Sequence, residues 1–537
     1  LVKSVQDFCT AHPDCRVLVT SRIKPYENKT YQLDDLPVVT LAKLDTDRIE
    51  RFLHNWYAER ARVEPDKAAK AATDRDRLLR SFSERPALHE MAETPLLLTM
   101  LAAVNAWAGL PESRAEIYDK CVEQLLWEWE KRKEDGDGAF VALDDLLVEP
   151  GKQRADVDRV LWQMTFEAHR QSGSQAATLP ISGVESRLAA LHPHKYNGVA
   201  WARRVVDLMS QRGGLLADNG VGGFVFPHTS LQEYLAARWL IEEKERVSEA
   251  AQLAEVDTWR EVILLACGYL TWQGRYSDAQ ALVHELIAGR LAMPDDIHRL
   301  LVAGMAWQEF DPSRATTNTG KALLERIPAE LTSAMQDARV PAVYRRNAGL
   351  LAAELGALPD DLDDLVAVPG TDLRMGKYPV TNTQFKRFVD AGGYKAESER
   401  RWWSEEGRKY KQKYGYRAPW SFGARRFSGS TQPAIVSWYE AEAYCAWLAA
   451  ARQHGDIGAG ETVRLPTQAE WEAAARNGQA APADKDADYP WRGPFASDRA
   501  NTQESSLGQT TPVHMYPQGA TPGGIHDLAG NVWEWTG

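Results

Sequence analysis

The sequence predicts a multidomain protein: a short α/β segment, a mostly helical region that includes a winged helix, and a C-terminal α+β segment. Three observations support this prediction. The chain has 537 residues, which is enough for about three or four domains. Apolar residues recur at helical spacing through most of the chain before residue 361. After that point Gly and Pro turns are frequent and nine of the 19 tryptophans occur, which indicates a change of domain.

The composition excludes several classes of protein. With 44% hydrophobic and 26% charged residues the chain can build packed cores, which excludes a disordered or fibrous protein. The net charge of −12 argues against a nucleic-acid partner. Five scattered cysteines and the absence of an apolar leader indicate a reducing, cytoplasmic compartment. The longest apolar stretch, residues 95–110, is interrupted by polar residues and favours a buried helix over a membrane span, so no membrane association is expected.

The first segment, residues 1–43, has the pattern of the end of an α/β domain. Its first residues have helical spacing, and residues 16–22 form a short apolar run that is typical of a buried parallel strand. Ligands of such sheets bind at the carboxyl ends of the strands, where Arg22 would lie. An arginine at the end of a strand is also a common solvated residue.

The next two segments are predicted to be a helical region and a winged helix. Residues 44–154 have helical spacing almost throughout, and Pro95 fits the first turn of its helix, where no N–H is needed. Within residues 155–245, the stretch 213–226 predicts a hairpin, because Asp-Asn-Gly separates two apolar runs.

The helix after this hairpin is predicted to begin at a capping box formed by Ser230 and Glu233. Helix, hairpin and helix together are the layout of a winged helix. Residues 246–360 are predicted to be helical again and to end in a linker, where the sequence reaches Leu-Pro-Asp-Asp. The last predicted domain is therefore 361–537.

Three motifs follow one another in residues 1 to about 270: Val17-Leu-Val-Thr-Ser-Arg22, Glu93-Thr-Pro95-Leu-Leu-Leu, and Phe226-Pro-His228-Thr-Ser-Leu-Gln-Glu-Tyr-Leu-Ala-Ala237. In this order the segment resembles the rear half of a NACHT-type signalling ATPase of the STAND class, which includes the NOD-like receptors. The resemblance implies that Arg22 meets the terminal phosphate, that Pro95 lines the adenine pocket, and that His228 hydrogen-bonds the β-phosphate of ADP in a closed state. Pro95 can also simply begin a helix, and His228 can be a half-buried capping residue.

The phosphate-binding loop of such an ATPase is not in this chain. No Gly-x-x-x-x-Gly-Lys-Ser/Thr motif occurs, and no aspartate-rich strand end precedes Arg22 to hold magnesium. The resemblance implies that ATP or ADP with Mg²⁺ is held mostly by residues upstream of Leu1, so this chain should not hydrolyse ATP by itself. Because the chain begins at Leu1 and stops at Gly537, we expect it to be a piece of something longer at both ends.

Residues 361–537 contain three more capping boxes, each of which begins an apolar run: Thr381 with Gln384, Ser437 with Glu440, and Thr467 with Glu470. Four stretches span nearly the whole segment: Tyr378-Pro-Val-Thr-Asn-Thr-Gln-Phe, Ala434-Ile-Val-Ser-Trp-Tyr-Glu-Ala-Glu-Ala-Tyr-Cys, Arg464-Leu-Pro-Thr-Gln-Ala-Glu-Trp-Glu-Ala-Ala-Ala-Arg, and Asp527-Leu-Ala-Gly-Asn-Val-Trp-Glu-Trp. Together they resemble the formylglycine-generating enzyme family. The resemblance implies an irregular C-type-lectin-like α+β fold, here truncated at its C-terminus.

The resemblance also implies calcium sites. One would use the side chains of Asp527 and Glu534 with the carbonyls of Gly530 and Val532, which are the hard oxygen ligands that Ca²⁺ prefers. The plainer alternative is a surface turn with two solvated acids. A second site would use Asn501 and the carbonyl of the following residue, but Ser505 occupies the position where the family has an acid.

Catalytic members of the family oxidise a substrate cysteine with a copper-binding pair of thiolates. In the family this pair lies downstream of the Gly-Asn-x-Trp-Glu-Trp motif, so here it would lie beyond Gly537. Cys445 is the one cysteine of the segment, and its place on a helix face favours a buried core residue.

The leading functional hypothesis is a cytoplasmic, nucleotide-switched signalling protein with a C-terminal domain that senses an unknown protein or small ligand. Such proteins form homo-oligomers on activation. The alternative is a formylglycine-generating-type oxidase acting on a cysteine or a related thiol or amine substrate, with the helical part as a scaffold. A third, narrower hypothesis is a lectin-like domain whose surface is diversified for display.

Overall fold

The structure of the protein is a computed structural model. It describes residues 2–19, 33, 36–39, 41–107, 109–111, 113–128, 142–172, 177–212, 215–219, 222–451, 461–477, 489–491 and 494–537. Its helices and strands are, in chain order, α1 (Val2–Ala11), α2 (Thr46–Val63), α3 (Ala68–Glu84), α4 (Pro86–Ala92), α5 (Pro95–Trp107), α6 (Arg114–Glu123), α7 (Leu143–Val148), α8 (Arg154–Ser172), β1 (Leu179–Pro180), α9 (Ile181–Ala189), α10 (Lys195–Asp207), β2 (Ala217–Asp218), β3 (Gly223–Val225), α11 (Thr229–Leu240), α12 (Lys244–Val247), α13 (Ala250–Leu253), α14 (Arg260–Trp272), α15 (Tyr276–Leu286), α16 (Ile297–Phe310), α17 (Asn318–Gln336), α18 (Ala342–Glu354), β4 (Leu365–Ala367), β5 (Arg374–Gly376), α19 (Asn382–Asp390), α20 (Ala396–Trp402), α21 (Glu405–Tyr414), α22 (Trp420–Gly423), α23 (Trp438–Ala451) and α24 (Gln468–Ala475).

The chain forms two compact units, one of residues 1–247 with 258–275 and one of residues 248–257 with 276–537. Both are mostly helical, and their sheets are small. No helix in the described part of the chain combines the length and the apolar content needed to cross a membrane.

The first unit is organised around α11, which packs on α8 and on α14. Its residues Leu231, Tyr234 and Leu235 are fully buried there, because they recur at the spacing of one helical face. A three-stranded antiparallel sheet of order β1-β3-β2 precedes α11 in the chain. Helices and a small sheet of this kind form a winged helix, as the sequence predicted.

The predicted hairpin is confirmed, since Ala217 pairs with Val225 across the turn. The third strand of the sheet, β1, was not predicted from the sequence; its Leu179 pairs with Phe224 of β3. The prediction of a capping box at Ser230 and Glu233 was wrong. The N-cap of α11 is His228, whose imidazole accepts a hydrogen bond from the Ser230 backbone N–H.

The strand expected at residues 16–22 is not formed where it can be described. Residues 16–19 have no strand pairing, and the side chains of Leu18 and Val19 are exposed. A strand exists only where its backbone groups bond to a neighbour, and the apolar pattern alone cannot supply one. Residues 20–22, Arg22 included, lie outside the described residues.

In the second unit a stack of helices, α15 to α18, precedes the C-terminal segment. All three predicted capping boxes of that segment are confirmed. Those of α19 and α24 pair Thr381 with Gln384 and Thr467 with Glu470, and Ser437 Oγ and backbone N–H both bond to Glu440 ahead of α23.

The core of the C-terminal segment has two parts. Aromatic side chains of α19 and α23 pack together with Trp403 in the first part, which includes Phe385, Phe388 and Tyr444. The second part joins α24 to the end of the chain through Ala474, Ile525 and Leu528. The last residues alternate in exposure, with Trp533 exposed and Glu534 half-buried, but they do not pair as a strand.

Candidate nucleotide-switch and cation sites

His228 is held in one tautomer at the start of α11. Its Nδ1 accepts from the Ser230 backbone N–H at 3.2 Å and lies 2.7 Å from the Ser230 hydroxyl. Because an accepting Nδ1 carries no proton, the proton of the neutral imidazole lies on Nε2. His228 is half-buried, so the ring combines a fixed orientation with an Nε2–H donor of the kind that suits a phosphate oxygen.

Two polar groups near the start of α11 are buried in a way that the sequence did not indicate: Tyr118, and Glu233, which was expected to be a capping residue. Tyr118, on α6, is a near neighbour of Ser230, and burial raises the pKa of its hydroxyl to about 12. Burial, together with repulsion from the nearby Glu261 carboxylate, raises the pKa of Glu233 to about 7. Their burial could not be predicted from sequence, since it depends on the packing of α6 and α14 against α11.

Pro95 is the first residue of α5 and is exposed. Its role as a helix-starting proline is therefore confirmed, and Leu98 N–H bonds to the Thr94 carbonyl just ahead of it. Helix α6 packs against both α5 and α11, the helices that carry Pro95 and His228. Arg22 lies outside the described residues, so the gathering of all three around one nucleotide stays a prediction.

The second candidate site is the turn at residues 527–534. Asp527, Gly530 and Asn531 have φ angles of +57°, +84° and +63°. Gly adopts this left-handed backbone at little cost, and Asn and Asp tolerate it better than other residues do. The turn is held in addition by side-chain hydrogen bonds.

Asn531 supplies those bonds. Its Oδ1 accepts from Thr511 N–H at 2.8 Å, and its Nδ2 donates to the Thr511 carbonyl at 3.1 Å and to Asp527 Oδ2 at 3.0 Å. In the sequence, Asn531 stood out only as part of a motif. The signal that could have found it is an asparagine directly after a turn glycine, since Asn tolerates the left-handed region.

Two carboxylates meet at this turn without a described ion pair. Burial raises the pKa of Asp527 to about 8, and repulsion from Glu534 adds to the rise. Burial also raises the pKa of Glu534 to about 7, although the 3.0 Å hydrogen bond that Glu534 accepts from the Trp471 indole lowers this pKa in part. Buried like charges require a proton or a cation, and oxygen ligands fit Ca²⁺. The alternative of two solvated acids does not describe Asp527, which is 6% exposed.

The described residues contain no group of three or more His, Cys, Asp or Glu side chains that could hold a metal ion. A site at the turn would thus depend on main-chain carbonyls as well as on the two carboxylates. This is the ligand set that the sequence analysis named.

The other predicted calcium position differs from the first. Asn501 lies beside the turn, because Asn531 N–H donates to its carbonyl at 2.8 Å. The Ser505 hydroxyl lies 3.0 Å from Asn501 Oδ1 and 2.6 Å from the Thr502 carbonyl. A hydroxyl thus already bonds the oxygens that a second cation would need, so these residues do not fit a second calcium ion.

Cys445 is half-buried on α23, and burial raises the pKa of its thiol to about 11. A thiol with so high a pKa is protonated at neutral pH and is therefore a poor nucleophile.

Two family models match the chain. One, described as a sulfatase-modifying factor enzyme 1-like domain, matches residues 361–537. The other, described as a winged helix-turn-helix domain C-terminal to NACHT, matches residues 114–240. No solved structure matches the chain significantly.

Curated relatives match about a third of the chain. The hercynine oxygenase of Mycobacterium tuberculosis is 37% identical over 186 residues, which are 32% of this chain and 38% of the relative. The inactive C-alpha-formylglycine-generating enzyme 2 of Bos taurus is 33% identical over 191 residues, 30% of this chain and 57% of the relative. The chain spans about two fifths of the length of the hercynine oxygenases.

The formylglycine-generating enzyme of Thermomonospora curvata is 31% identical over 232 residues, which cover 32% of this chain and 70% of that enzyme. The chain therefore belongs to the formylglycine-generating, sulfatase-modifying-factor-like family, and it joins that domain to a winged helix of the type found C-terminal to NACHT.

Proposed function

We propose that this chain is part of a nucleotide-switched signalling protein of the STAND class, whose C-terminal domain binds a protein or small ligand. The observation that carries the proposal is one chain that joins a NACHT-type winged helix to a formylglycine-generating-enzyme-like domain. ATP or ADP with Mg²⁺ would be the nucleotide, and activation would lead to homo-oligomers in the cytoplasm.

The winged helix would act through His228. Its Nε2–H would donate to the β-phosphate of ADP, while the bonds of Nδ1 to Ser230 hold the ring in place. A contact made only in the closed, ADP-bound state shifts the population toward that state. Loss of the contact would release the winged helix and favour the active oligomer.

The first prediction tests this role in the full-length protein. We expect His228→Ala to bind ADP about 10- to 100-fold more weakly, because one hydrogen bond to a charged phosphate is lost. ADP retained through purification, measured by chromatography of the denatured protein, should fall, and light scattering should show larger species. His54→Ala, at an exposed position of α2, is the matched control. Unchanged ADP retention and mass in His228→Ala would contradict the proposal.

We also propose one calcium ion at the turn of Asp527, Gly530, Val532 and Glu534. The bound ion would neutralise the two carboxylates and tie the end of the chain to α24, since Trp471 of that helix donates to Glu534. Its role would be structural and would shape the sensing domain.

The second prediction uses Tb³⁺ as a luminescent substitute for Ca²⁺. Trp471 lies next to Glu534, so excitation of tryptophan should sensitise bound Tb³⁺, and Ca²⁺ should compete. We expect Asp527→Asn to weaken Tb³⁺ binding more than about tenfold, since even outer-shell changes cost that much. Asp372→Asn, an exposed acid of the same domain, should bind as the wild type does. Equal Tb³⁺ affinity in the two variants would contradict the site.

A formylglycine-generating-type oxidase remains the second candidate, because relatives of the domain are named as formylglycine-generating enzymes and hercynine oxygenases. Its thiolate pair would have to come from outside residues 361–537, whose one cysteine is Cys445. Oxygen consumption by the full-length protein with a cysteine-containing peptide distinguishes the candidates. Turnover that is lost when two downstream cysteines are replaced would favour the oxidase.

A further inference from the structure

Helix α18 lies before residue 361, where the family match begins, yet it packs directly on the C-terminal domain. Arg345 of this helix is 2% exposed. Its Nε donates to the Met335 carbonyl at 2.8 Å, its Nη2 donates to the Met515 carbonyl, and its Cζ lies 4.8 Å from the centroid of the Tyr516 ring. A buried guanidinium is costly unless its donors are bonded, so this junction depends on the carbonyl positions.

Two glycines allow the close approach of α18 to the domain. A Cβ at Gly349 would lie 2.9 Å from Pro512 Cγ and 2.3 Å from Met335 Sδ. A Cβ at Gly429 would lie 2.5 Å from Cδ2 of Leu350. Helix α18 is therefore in contact with two separate segments of the C-terminal domain.

The segment that Arg345 holds leads to the cation turn. Thr511, next to Pro512, bonds through its backbone N–H and carbonyl to the Asn531 side chain, and Asn531 in turn donates to Asp527. Residues 511–516 thus connect the buried guanidinium to the buried carboxylate through a short series of contacts.

We propose that Arg345 is a positioning residue for the turn at Asp527, and that α18 couples the helical stack to cation binding by the C-terminal domain. This rests on the calcium site proposed above. Because coupling between two sites is reciprocal, cation binding also stabilises the packing of α18. The helical stack and the sensing domain then respond to the ion together.

The test measures Tb³⁺ affinity and hydrogen exchange in the whole chain. Arg345→Met removes the bonds to the two carbonyls, Gly349→Ala separates α18 from Pro512 while keeping the guanidinium, and Arg339→Met is a matched control at an exposed arginine. We expect about tenfold weaker Tb³⁺ binding in the first two variants and no change in the control. Exchange of the Thr511 amide should rise in both α18 variants, and Ca²⁺ should slow exchange in α18 of the wild type and of the control but not of these two variants.

Each outcome decides a separate point. If the wild type binds no Tb³⁺, the proposed site fails and the coupling fails with it. If the wild type binds Tb³⁺ but both α18 variants bind it equally well, the coupling alone is overturned. If Arg345→Met unfolds, as hydrogen exchange throughout the domain would reveal, Gly349→Ala decides the question.

Discussion

Arg238→Met should destabilise the first unit by about 1–3 kcal/mol, because it removes a charged hydrogen bond from a half-buried ion pair whose side chains are 16% and 24% exposed. The Arg238 guanidinium bonds to Asp119 at 3.0 Å, and its Cζ lies 4.1 Å and 3.9 Å from the ring centroids of Trp162 and Tyr269. Burial raises the pKa of Asp158 to about 6, while the hydrogen bond from Trp127 and then the charge of Arg238 counteract part of that rise. Removal of the guanidinium leaves Asp119 with the hydrogen bond from the Tyr234 hydroxyl and Asp158 with that from the Trp127 indole, but takes away the positive charge that stabilises both carboxylates.

Urea unfolding followed by hydrogen exchange of α8 and α11 measures this loss. Arg159→Met is the control, because its pair with Glu242 is on the surface and should contribute less than about 1 kcal/mol. Asp119→Asn combined with Arg238→Met should recover part of the lost stability, since no unpaired charge then remains at Asp119. A loss of stability as small as that of Arg159→Met would show that the pair of Arg238 and Asp119 contributes no more than a surface ion pair.

Gly530→Ala should destabilise the C-terminal domain by about 2–4 kcal/mol, as backbone strain and overpacking act together. Gly530 has a φ angle of +84°, and a Cβ there would lie 2.4 Å from the Asn501 carbonyl oxygen. The displaced backbone would also move the Gly530 carbonyl away from the proposed ion. Tb³⁺ affinity should therefore fall together with the melting temperature.

Gly524→Ala separates the two causes. Gly524 has a φ angle of +92°, but a Cβ there would meet no atom within 4 Å. Gly524→Ala should lower the stability of the domain only through backbone strain, by about 1 kcal/mol, and should leave Tb³⁺ affinity unchanged. Equal losses in the two variants would show that the contact with Asn501 does not matter.

Features that depend on near neighbours in the chain were predictable from the sequence. The capping boxes at Thr381, Ser437 and Thr467 each need only four consecutive residues, and the β2–β3 hairpin needs only its turn. Strand β1 was missed because two residues carry no periodicity and their partner, Phe224, is far away in the chain. The cap at Ser230 was misassigned because an imidazole Nδ1 can accept the same backbone bond as a hydroxyl, and general rules favour Ser.

The sequence predicted the residues of the candidate sites but not the residues that hold them in position. The motif gave Asp527, Gly530 and Glu534, whereas the roles of Asn531 and Thr511 follow from a contact twenty residues apart in the chain. Arg345 could not have been found, because an arginine in a helix is usually solvated and its partner Met515 is 170 residues away. Long-range packing decides such roles, and it leaves no local pattern.

The Ser505 hydroxyl, which bonds Asn501 Oδ1 and the Thr502 carbonyl, has a consequence for how the domain tolerates chelators. The loop around Asn501 keeps its shape through a covalently attached hydroxyl, so EGTA has nothing to extract there. Removal of the proposed ion should therefore loosen the Asp527 turn and, through residues 511–516, the packing of α18, while the loop around Asn501 stays ordered.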